Sequence, residues 1–579
     1  MKEASTMTRP SIIFAGCVRD NAPYLQQVLA NCGRLATTAE KALFIFAEND
    51  SVDATKMILA EWCDGHDNAH ILCFDGLHAS LRKRTERLAF LRNYILGFIK
   101  ERGFVDYDAL CIMDFDEVNV NEISADSFVA ATEFLFSRAA NAGVFAVSDP
   151  IYYDIYALRH EHWCDSDCWK VFRSVPLSNK AEAFQSLVCD RQVPIEKSHP
   201  PISVISAFGG LALYRLSYAL QATYVGLDQD GEESCEHVSF NEDIKKLGGE
   251  LYLFPALRNS APWQHCFNGR HQKTMRFSNG GLEIELLAPQ SHQLDNYLHA
   301  YPLYDRRLPT LLTVFNRIFG DASVLDIGAN ILDTIALMRL SGVRLSKSIS
   351  VDASLEFYKY AKFNAEKNAA HFQNNEIIWG FVGAEEDRGN IAAKNGTGNI
   401  RNIRRHDNMQ ALLEPRRVAF SDLAPKGTDL VKTDLDGYDH VVIQQNLAWL
   451  RRWKPMLWVE AQIEDAADIS AWSNVLLALA DDFPYVAAFD NFGFCLCAGT
   501  MTEKWNVVLE LIGIGARYKL NESNLGTPRF YYLDILFMPR HRAQVFHDFI
   551  GQLPEMTPAV ARSTGSRELA PEKYHEQVG

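Results

Sequence analysis

The 579-residue sequence lacks several features that would assign it to a class at once. No apolar run approaches the ~20 residues that a membrane-spanning helix needs. Met1–Pro10 is polar and lacks the apolar core of a signal peptide. The cysteine pairs Cys164/Cys168 and Cys495/Cys497 lack the C-x-x-C spacing of a zinc ribbon. We therefore expect a cytoplasmic protein without a transmembrane segment, whose 12 cysteines are reduced.

The sequence also has fewer basic than acidic residues. The chain has 57 Lys and Arg against 73 Asp and Glu, which gives a net charge of −16. A sequence-independent nucleic-acid binder needs basic surface to neutralise phosphate, so this balance argues against a nucleic-acid partner. The apolar fraction of 47% and the charged fraction of 22% are typical of a globular protein. Because the chain is too long for one hydrophobic core, we expect two or more domains.

The first third of the chain alternates short apolar runs with amphipathic helices. Helical periodicity is found in Tyr24–Cys32 and in Arg84–Ile99. This alternation favours an α/β fold with a mostly parallel sheet that helices cover on both faces. The predicted buried strands are Ser11–Gly16, Ala42–Ala47, Ala109–Met113 and Gly143–Val147.

A second α/β domain is predicted after a join. Phe277–Leu303 mixes polar residues, prolines and histidines, as interdomain segments do, and an apolar helix at Leu308–Phe319 follows it. We predict a first domain at 1–275, a linker at 276–307, a second domain at 308–550 and a disordered tail at 551–579. Later predicted strands are Ile377–Val382, Leu430–Lys432, Met456–Val459, Tyr485–Phe489 and an antiparallel Arg529–Met538.

Alternating acids close the strand Ala109–Met113. Asp114 and Asp116 stand two residues apart at a strand-to-loop exit, where both carboxylates can turn toward one divalent cation. Mg²⁺ or Mn²⁺ held there keeps room for diphosphate oxygens and stabilises a departing nucleoside diphosphate, as a sugar-nucleotide transferase requires. A solvated acidic turn is the alternative, because D-x-D also occurs by chance.

Other polar residues could serve the same ligand. Glu48 and Asp50 follow the strand Ala42–Ala47, and at that position they could bind a nucleoside. Arg84 and Arg92 lie on the helix before the D-x-D strand and are poorly explained as core residues. They could contact phosphate oxygens, or they could merely pair with nearby acids.

Several motifs in order carry a family resemblance: AENDSVDAT, RTERLAFLRN, CIMDFDEV, YYDIYALRHE with CWKVF, SAFGGLALYR and CEHVSFN. Over about residues 10–270 the chain resembles the fungal CAP59-type family of capsule-associated mannosyltransferases. The resemblance implies a GT-A fold, a nucleotide-sugar donor and a divalent cation. It also implies that Asp114 and Asp116 take the metal and the donor diphosphate. Gly209 and Gly210 would form the close-approach loop under the sugar.

The same resemblance assigns roles near the reacting centre. Glu236 would act as an acid that handles an acceptor hydroxyl, and His237 would be a metal ligand. His265, in the segment PWQHC, is a further candidate ligand. Isolated histidines are more often structural, so a core role remains the alternative for both histidines.

A second motif begins at Val324. The run to Asn330 reads as a buried strand that enters a tight turn containing Gly328. In an open α/β sheet such a turn lies at the carboxyl edge of a strand, where a nucleotide-like ligand binds. The next strand, Ser348–Val351, ends on Asp352, whose two acceptor oxygens suit a ribose diol. Since the dinucleotide fingerprint wants three glycines and one is present, S-adenosylmethionine is favoured over NAD.

Two further acids follow the strand Leu430–Lys432. A carboxylate of Asp434 or Asp436 at this edge can orient a hydroxyl, or take its proton, while a methyl group moves. Capping of the next helix by Asp436 and Asp439 explains these acids equally well. The two roles are compatible.

The motifs VLDIGANILDT, ISVDAS, VKTDLDGYD and KPMLWVEA together resemble the FkbM family of S-adenosylmethionine-dependent O-methyltransferases, over about residues 285–540. The resemblance implies a class I, Rossmann-like methyltransferase domain. The family usually has glycine where this chain has Leu332, and a leucine there could crowd the methionine part of the ligand. The implied ligand contacts are Asp326, Gly328 and Asn330 for the methionine part, Asp352 for the ribose, Val382 and Gly383 for the adenine, and Asp434 and Asp436 for the acceptor.

The sequence thus predicts a two-domain, bifunctional enzyme of surface-glycan biosynthesis. The first domain would transfer sugar from a nucleotide donor to a saccharide or glycolipid acceptor, and the second would methylate a saccharide hydroxyl. Two alternatives stay open. In one, the first domain only binds glycan and the second is an active methyltransferase. In the other, the chain is a scaffold protein with a vestigial methyl-donor site. A peripheral position at the inner face of a membrane, through a lipid-linked acceptor, is also left open.

Overall fold

The structure is a computed structural model that describes residues 9–267, 272–383, 390–394, 397–401, 414–462, 466–520 and 532–553. It contains two large sheets, one built from the first half of the described chain and one from the second. Helices pack on both faces of each sheet, so both halves are mixed α/β structures.

The first sheet has eight strands in the order β3-β2-β1-β4-β7-β5-β8-β6. Strand β1 pairs in parallel with β2 and β4, whereas β7 is antiparallel to both β4 and β5, and β6 is antiparallel to β8. The prediction of a mostly parallel sheet therefore holds for one side of the sheet, and the other side is mixed. The strands are β1 (Ile12–Val18), β2 (Ala42–Asn49), β3 (Ala69–Phe74), β4 (Ala109–Met113), β5 (Asn141–Asp149), β6 (Ile202–Val204), β7 (Leu211–Arg215) and β8 (Glu250–Ser260).

Two apolar cores cover the faces of the first sheet. Because side chains alternate along a strand, Ile13 and Ala15 enter one core while Ile12 and Phe14 enter the other. The helices are α1 (Ala22–Ala36), α2 (Thr55–Asp64), α3 (Leu77–Ser80), α4 (Arg84–Glu101), α5 (Ala125–Ser137), α6 (Cys168–Ser174), α7 (Lys180–Leu187), α8 (Leu216–Ala219), α9 (Glu236–Lys246) and α10 (Trp263–Phe267).

The segment predicted as a linker, 276–307, is largely folded. It contains most of a hairpin of β9 (Gln272–Asn279) and β10 (Leu282–Pro289), followed by α11 (Leu294–Ala300). The two-residue turn, Gly280 and Gly281, has positive φ at both positions, the geometry that favours a hairpin. Alternate residues of β10 are buried in the core of the second half. The domain boundaries themselves stay a prediction.

The second sheet has nine strands in the order β16-β13-β12-β11-β17-β18-β21-β19-β20. Strand β21 is antiparallel to β18 and β19, which confirms the predicted antiparallel strand, although residues 529–531 lie outside the described residues. The strands are β11 (Ala322–Ile327), β12 (Leu345–Asp352), β13 (Asn375–Phe381), β16 (Arg416–Arg417), β17 (Leu430–Thr433), β18 (Met456–Gln462), β19 (Tyr485–Asp490), β20 (Cys495–Thr500) and β21 (Tyr532–Met538), with a separate hairpin of β14 (Asn390–Lys394) and β15 (Thr397–Arg401).

Two apolar cores also cover the second sheet. None of the described helices is long and apolar enough to cross a membrane. All 12 cysteines lie within the described residues, and none of them forms a disulfide. The predicted tail, 551–579, lies outside the described residues after Leu553. The helices are α12 (Arg307–Phe319), α13 (Asp333–Leu340), α14 (Leu355–Lys367), α15 (Ala369–Phe372), α16 (Phe420–Leu423), α17 (Asp439–Gln445), α18 (Leu447–Trp453), α19 (Ala466–Leu479), α20 (Met501–Leu520) and α21 (Ala543–Ile550).

Each sheet has one place where the strand order reverses. In the first sheet β2 and β3 lie on one side of β1 and β4 lies on the other, and in the second sheet β12 and β17 flank β11 in the same way. Open α/β sheets bind ligands outside the carboxyl ends of the strands at such a point. The fold therefore directs attention to the residues that follow β1, β4, β11 and β17.

Candidate active sites at the two sheet edges

The backbone after β4 is held in a fixed shape by its neighbours. The N–H of Asp114 donates to the Gly210 carbonyl at 2.9 Å, and the Asn119 side chain donates to the carbonyls of Asp114 and Gly210, both at 2.8 Å. Gly209 and Gly210 have φ of 66° and 81°, and a Cβ at Gly209 would lie 2.6 Å from the Ala146 carbonyl. Only glycine fits this close approach, so the predicted glycine loop does lie against the D-x-D segment.

Three carboxylates lie near enough to this edge for the charges of two of them to affect the pKa of the third. Burial raises the pKa of Asp114 to about 7, and the charge of Asp116 adds to the rise. Burial is also the main cause that raises the pKa of Asp116 and of Asp154, a residue whose site role the sequence did not predict. Asp154 accepts the Gly209 N–H at 3.0 Å, which ties it to the glycine loop. Like charges that repel one another at a buried edge are stabilised by a cation.

The two predicted phosphate-binding arginines have different surroundings. Arg84 is exposed, and its charge opposes the rise in the pKa of Asp114 and Asp116, so it lies near both. Arg92 is only 3% exposed and pairs with the buried carboxylate of Glu236 and, at 3.5 Å, with Asp114. The Arg92 guanidinium therefore joins the D-x-D segment to Glu236, and a contact of Arg92 with phosphate stays a prediction.

The two candidate histidines also differ. His237 is buried, its ring stacks on Phe208 with centroids 3.7 Å apart, and neither ring nitrogen has a hydrogen-bond partner among the described residues. Burial, with the charges of Arg92 and Arg84, lowers the pKa of His237 well below its usual value. His265 is exposed, and its charge opposes the rise in the pKa of both Asp116 and Asp154. His265 is therefore the candidate histidine that affects Asp116 and Asp154, whereas His237 Nε2 lies 3.9 Å from the Glu236 carboxylate.

Within the described ranges no set of three His, Cys, Asp or Glu side chains is gathered closely enough to hold a metal ion. A two-carboxylate site is nevertheless a usual arrangement for Mg²⁺, which keeps several waters and takes further oxygens from substrate phosphates. The residues that follow β4 therefore fit a cation that binds together with a diphosphate, and the metal-ligand role of His237 stays a prediction.

The acids predicted to grip a nucleoside are engaged with loop backbone. Glu48 is buried, and its Oε1 accepts the Ser51 N–H at 2.8 Å. Asp50 accepts the N–H groups of Gly76 at 2.6 Å and of His78 at 2.7 Å. These bonds join the loops after β2 and β3. A contact of Glu48 or Asp50 with a nucleoside stays a prediction.

The turn after β11 has the close approach that a ligand turn needs. Gly328 has φ of 84°, and a Cβ there would lie 2.0 Å from the Asp434 carbonyl. The Asp352 carboxylate accepts the N–H groups of Asn330 and Ser354, both at 2.8 Å. Burial raises the pKa of Asp352 to about 7. A carboxylate has about four acceptor positions, so two remain for the diol of a ribose.

Leu332, the departure from the FkbM pattern, takes an unusual backbone conformation. Its φ is 70°, a left-handed value that costs a non-glycine residue about 1–2 kcal/mol. Its side chain is fully buried in the apolar core that includes Ile331 and Ile335. The leucine therefore contributes apolar packing beneath the turn while it strains the backbone.

A buried lysine links the ends of β11 and β17. Lys432 Nζ lies 3.1 Å from Asp434 Oδ2 and 3.5 Å from Asp326 Oδ1. Although burial opposes it, the charges of Asp434 and Asp326 raise the pKa of Lys432 well above its usual value. Burial raises the pKa of Asp326 to about 6, and Lys432 counteracts this rise. Lys432 is not among the site residues predicted from the sequence, although a lysine within an apolar strand is a detectable signal.

The loop between β17 and α17 carries further acids. Asp436 has φ of 50°, and Asp439 accepts the N–H of Leu435 at 3.1 Å, a bond that closes the loop. Burial raises the pKa of Asp439 to about 7 and raises that of Glu460, at the end of β18, well above its usual value. Asp434 therefore lies among several buried carboxylates and one cation.

The predicted adenine contacts lie at the end of β13. Val382 is buried, and a Cβ at Gly383 would lie 2.5 Å from the Phe381 ring and 2.8 Å from the Tyr438 ring. A side chain at position 383 would therefore have to displace one of these two rings. A contact with adenine stays a prediction.

No protein-family model matches the chain, and no curated protein matches it. Solved structures similar to its amino-terminal part are glycosyltransferases of the GT-A fold. A mannosyltransferase from Pyrobaculum calidifontis, in complex with GDP-Man and Mn²⁺, is 12% identical over 44% of this chain and 57% of that chain, with a TM-score of 0.26. GalNAc-T7 with UDP, GalNAc and Mn²⁺ is 12% identical over 44% of both chains, with a TM-score of 0.28. The glucosyl-3-phosphoglycerate synthase of Mycobacterium tuberculosis, in complex with Mn²⁺, UDP and phosphoglyceric acid, is 9% identical over 48% of this chain and 87% of that chain, with a TM-score of 0.24.

The chain thus spans less than two thirds of the length of the first two of these structures. At such low identity and TM-score the likeness carries no weight for the activity. The assignment of a function rests on the geometry of the two sheet edges, and the resemblances to the CAP59-type and FkbM families stay predictions.

Proposed function

We propose that the first half of the chain transfers a sugar from a nucleotide donor to a saccharide or glycolipid acceptor, with the help of a divalent cation. The observation that carries this proposal is the placement of Asp114 and Asp116 directly after β4, against the glycine loop to which Asp154 is also bonded, at the point where the strand order of the first sheet reverses. Repulsion among these carboxylates favours a cation, and the charge of Arg84 acts on both Asp114 and Asp116.

Different residues would bind the cation, the phosphate groups and the sugar in that reaction. Asp114 and Asp116 would hold Mn²⁺ or Mg²⁺, which supplies positive charge to the leaving diphosphate when it is bound. The exposed guanidinium of Arg84 adds a second contact for phosphate oxygens. Gly209 and Gly210 would form the loop under the sugar, and this loop needs glycine because a Cβ would meet the Ala146 carbonyl at one position and the Val118 side chain at the other.

Glu236 is the group that would take the proton of an acceptor hydroxyl. It lies at the first position of α9, and its partner Arg92 fixes it relative to Asp114. A carboxylate is the form that accepts a proton, and a buried guanidinium partner favours that form. Arg92 is therefore a positioning residue in the proposed mechanism.

Release of nucleoside diphosphate from nucleotide sugars tests this function. The full-length protein is incubated with Mn²⁺ and a panel of UDP-, GDP- and ADP-sugars. Without a saccharide acceptor, transfer of the sugar to water is measured as hydrolysis of the donor. We expect at least one donor to be hydrolysed, with at least a 100-fold loss in Asp116→Asn. Asp64→Asn, at an exposed aspartate outside the site, serves as the matched control. Hydrolysis that survives in Asp116→Asn would contradict the proposal.

We propose a second function for the second half, methyl transfer from S-adenosylmethionine to a saccharide hydroxyl. The observation that favours it is the turn from Gly328 to Asn330, which packs against Asp434 and is tied to Asp352 at the second reversal point. Asp352 would hold the ribose, Asp326 and Gly328 would lie at the methionine part, and S-adenosylmethionine supplies the methyl group when it is bound. Asp434, fixed by Lys432, would orient the acceptor hydroxyl with Asp436 beside it.

Calorimetric titration with S-adenosylmethionine and S-adenosylhomocysteine tests the second function. We expect micromolar binding that Asp352→Asn weakens at least tenfold, whereas Asp321→Asn, at an exposed aspartate paired with Arg344, leaves it unchanged. If neither compound binds, the second half has a vestigial site. If both bind but no donor sugar is hydrolysed, the first half is a glycan-binding module and the methyltransferase acts alone.

A further inference from the structure

The two halves of the chain meet over a shared contact surface. Ile151 and Ala261 of the first half pack with Tyr358 of α14 in one apolar cluster. The Trp263 Nε1–H donates to Glu366 at 3.2 Å, and Lys359 Nζ donates to the Cys189 carbonyl at 3.2 Å. The relative position of the two sheets is therefore fixed by apolar and polar contacts.

Two clefts open at this junction and adjoin each other. One has a volume of about 920 Å³ and the other of about 1100 Å³. Both are lined by Asp149, Pro150 and Arg258, and we name the two neighbouring clefts together the junction groove. Its size exceeds that of a site for a single small ligand, and domain interfaces are preferred places for ligand sites.

The ends of the junction groove lie next to the two candidate sites. At one end its walls include Glu117 and Gln264, the chain neighbours of Asp116 and His265. At the other end they include Trp379, which is the direct partner of Asp352 in the pairing of β12 with β13. The groove thus leads from the edge of the first sheet to the edge of the second.

The walls combine flat apolar rings with charges of both signs. Trp263 and Trp379 are partly exposed, so each can offer part of its ring to a ligand. Arg258, Glu376 and other charged side chains line the same surface. A sugar ring has an apolar face that packs on an aromatic ring and hydroxyls that bond to carboxylates and guanidinium groups. A polyanion is disfavoured, because acids stand beside the basic groups.

We propose that the junction groove binds an oligosaccharide chain, the common acceptor of the two sites. This inference rests on the proposed function and deepens it. One end of the saccharide would reach the nucleotide-sugar edge beside Asp116, and another part would lie near the methyl-donor edge beside Asp352. A chain held along the groove would present its hydroxyls to both sites at a high effective concentration.

Saturation-transfer NMR on the full-length protein tests the proposal, with a panel of defined tetra- to octasaccharides of hexose and N-acetylhexosamine. Calorimetry then measures the affinity of those that bind. We expect at least one saccharide to bind, with at least a tenfold loss of affinity in Trp379→Ala and in Trp263→Ala. Trp379→Phe should keep most of the affinity, because it retains a ring face. Tyr94→Ala, at a 47% exposed aromatic outside the groove, is the matched control.

Donor hydrolysis separates the groove from the transfer chemistry. Donor hydrolysis without an acceptor is measured beside saccharide binding, and Tyr94→Ala, which lies outside the groove, should leave both unchanged. Saccharide binding without any donor hydrolysis would contradict the proposed sugar transfer but support saccharide binding in the junction groove. The groove proposal is overturned if no saccharide of the panel binds, or if binding is unchanged in the folded Trp379→Ala and Trp263→Ala variants, whose thermal unfolding is measured alongside.

Discussion

The ion pair between Arg92 and Glu236 gives the sharpest test of how the first site is built. Both side chains are almost fully buried, and Arg92 also lies 3.5 Å from Asp114 and over the Phe208 ring. We therefore expect Arg92→Met to leave the Glu236 carboxylate buried without its cation. Removal of one partner from a buried pair costs about 3–5 kcal/mol. For a unit of this size the loss corresponds to a fall in Tm of roughly 6–20 °C.

The double variant Arg92→Met/Glu236→Gln provides the comparison. It removes both charges, so no uncompensated carboxylate remains, and coupling between contacting residues is about 0.5–3 kcal/mol. We expect the double variant to be more stable than Arg92→Met by an amount in this range. Arg102→Met is the matched control, because that arginine is exposed at the end of α4.

Differential scanning calorimetry of the full-length protein measures these changes. The transition of the first half is identified as the one that a nucleoside diphosphate with Mn²⁺ raises. The reasoning would be refuted if Arg92→Met lowered this transition no more than Arg102→Met does. It would equally be refuted if the double variant were less stable than the single variant.

Three further predictions follow from the same geometry. Gly328→Ala should lower the free energy of unfolding by well over 1 kcal/mol and abolish S-adenosylmethionine binding, because the new Cβ would lie 2.0 Å from the Asp434 carbonyl. Gly342→Ala is the control: its φ is 77° and the space around it is open, so it should cost only the backbone strain. The pKa of Asp352 is about 7 in the folded chain and about 3.9 in the unfolded chain, so the folded state binds one more proton between these pH values. Stability should therefore fall as the pH rises from 4 to 7. The Tm measured across this range should fall less steeply in Asp352→Asn than in the wild type. Leu332→Gly relieves about 1–2 kcal/mol of backbone strain but removes a fully buried side chain that contributes about 2–5 kcal/mol, so the Tm should fall. The affinity for S-adenosylmethionine, measured by calorimetry, should change less than threefold. A gain in affinity above tenfold would show that the leucine obstructs the ligand.

Sequence reasoning was successful where the signal is local. Asp114 and Asp116 follow an apolar strand directly, and Asp352 ends another, so their place at a sheet edge could be predicted from strand periodicity alone. The turn at Gly328 was found for the same reason. A local signal for the hairpin was also present, since Asn279 precedes Gly280 and Gly281, but it was interpreted as part of a linker.

Contacts between distant parts of the chain could not be predicted in this way. Arg92 and Glu236 are 144 residues apart, and nothing near either residue indicates that they pair. Lys432 and Asp326 meet because β17 lies beside β11, although four described helices and five described strands separate them in sequence. The antiparallel strand β7 is likewise defined by its neighbours, because its five residues carry no periodicity that distinguishes its direction.

The most direct test of the central claim is binding of Mn²⁺, followed by electron paramagnetic resonance, to the full-length protein in the presence of ADP, CDP, GDP or UDP. The account predicts that one of these diphosphates promotes binding of one Mn²⁺ per first site. That binding should be lost in Asp114→Asn and in Asp116→Asn and kept in Asp64→Asn. Mn²⁺ binding that is independent of all four diphosphates, or that persists unchanged in both D-x-D variants, would contradict the assignment of this sheet edge to a nucleotide sugar.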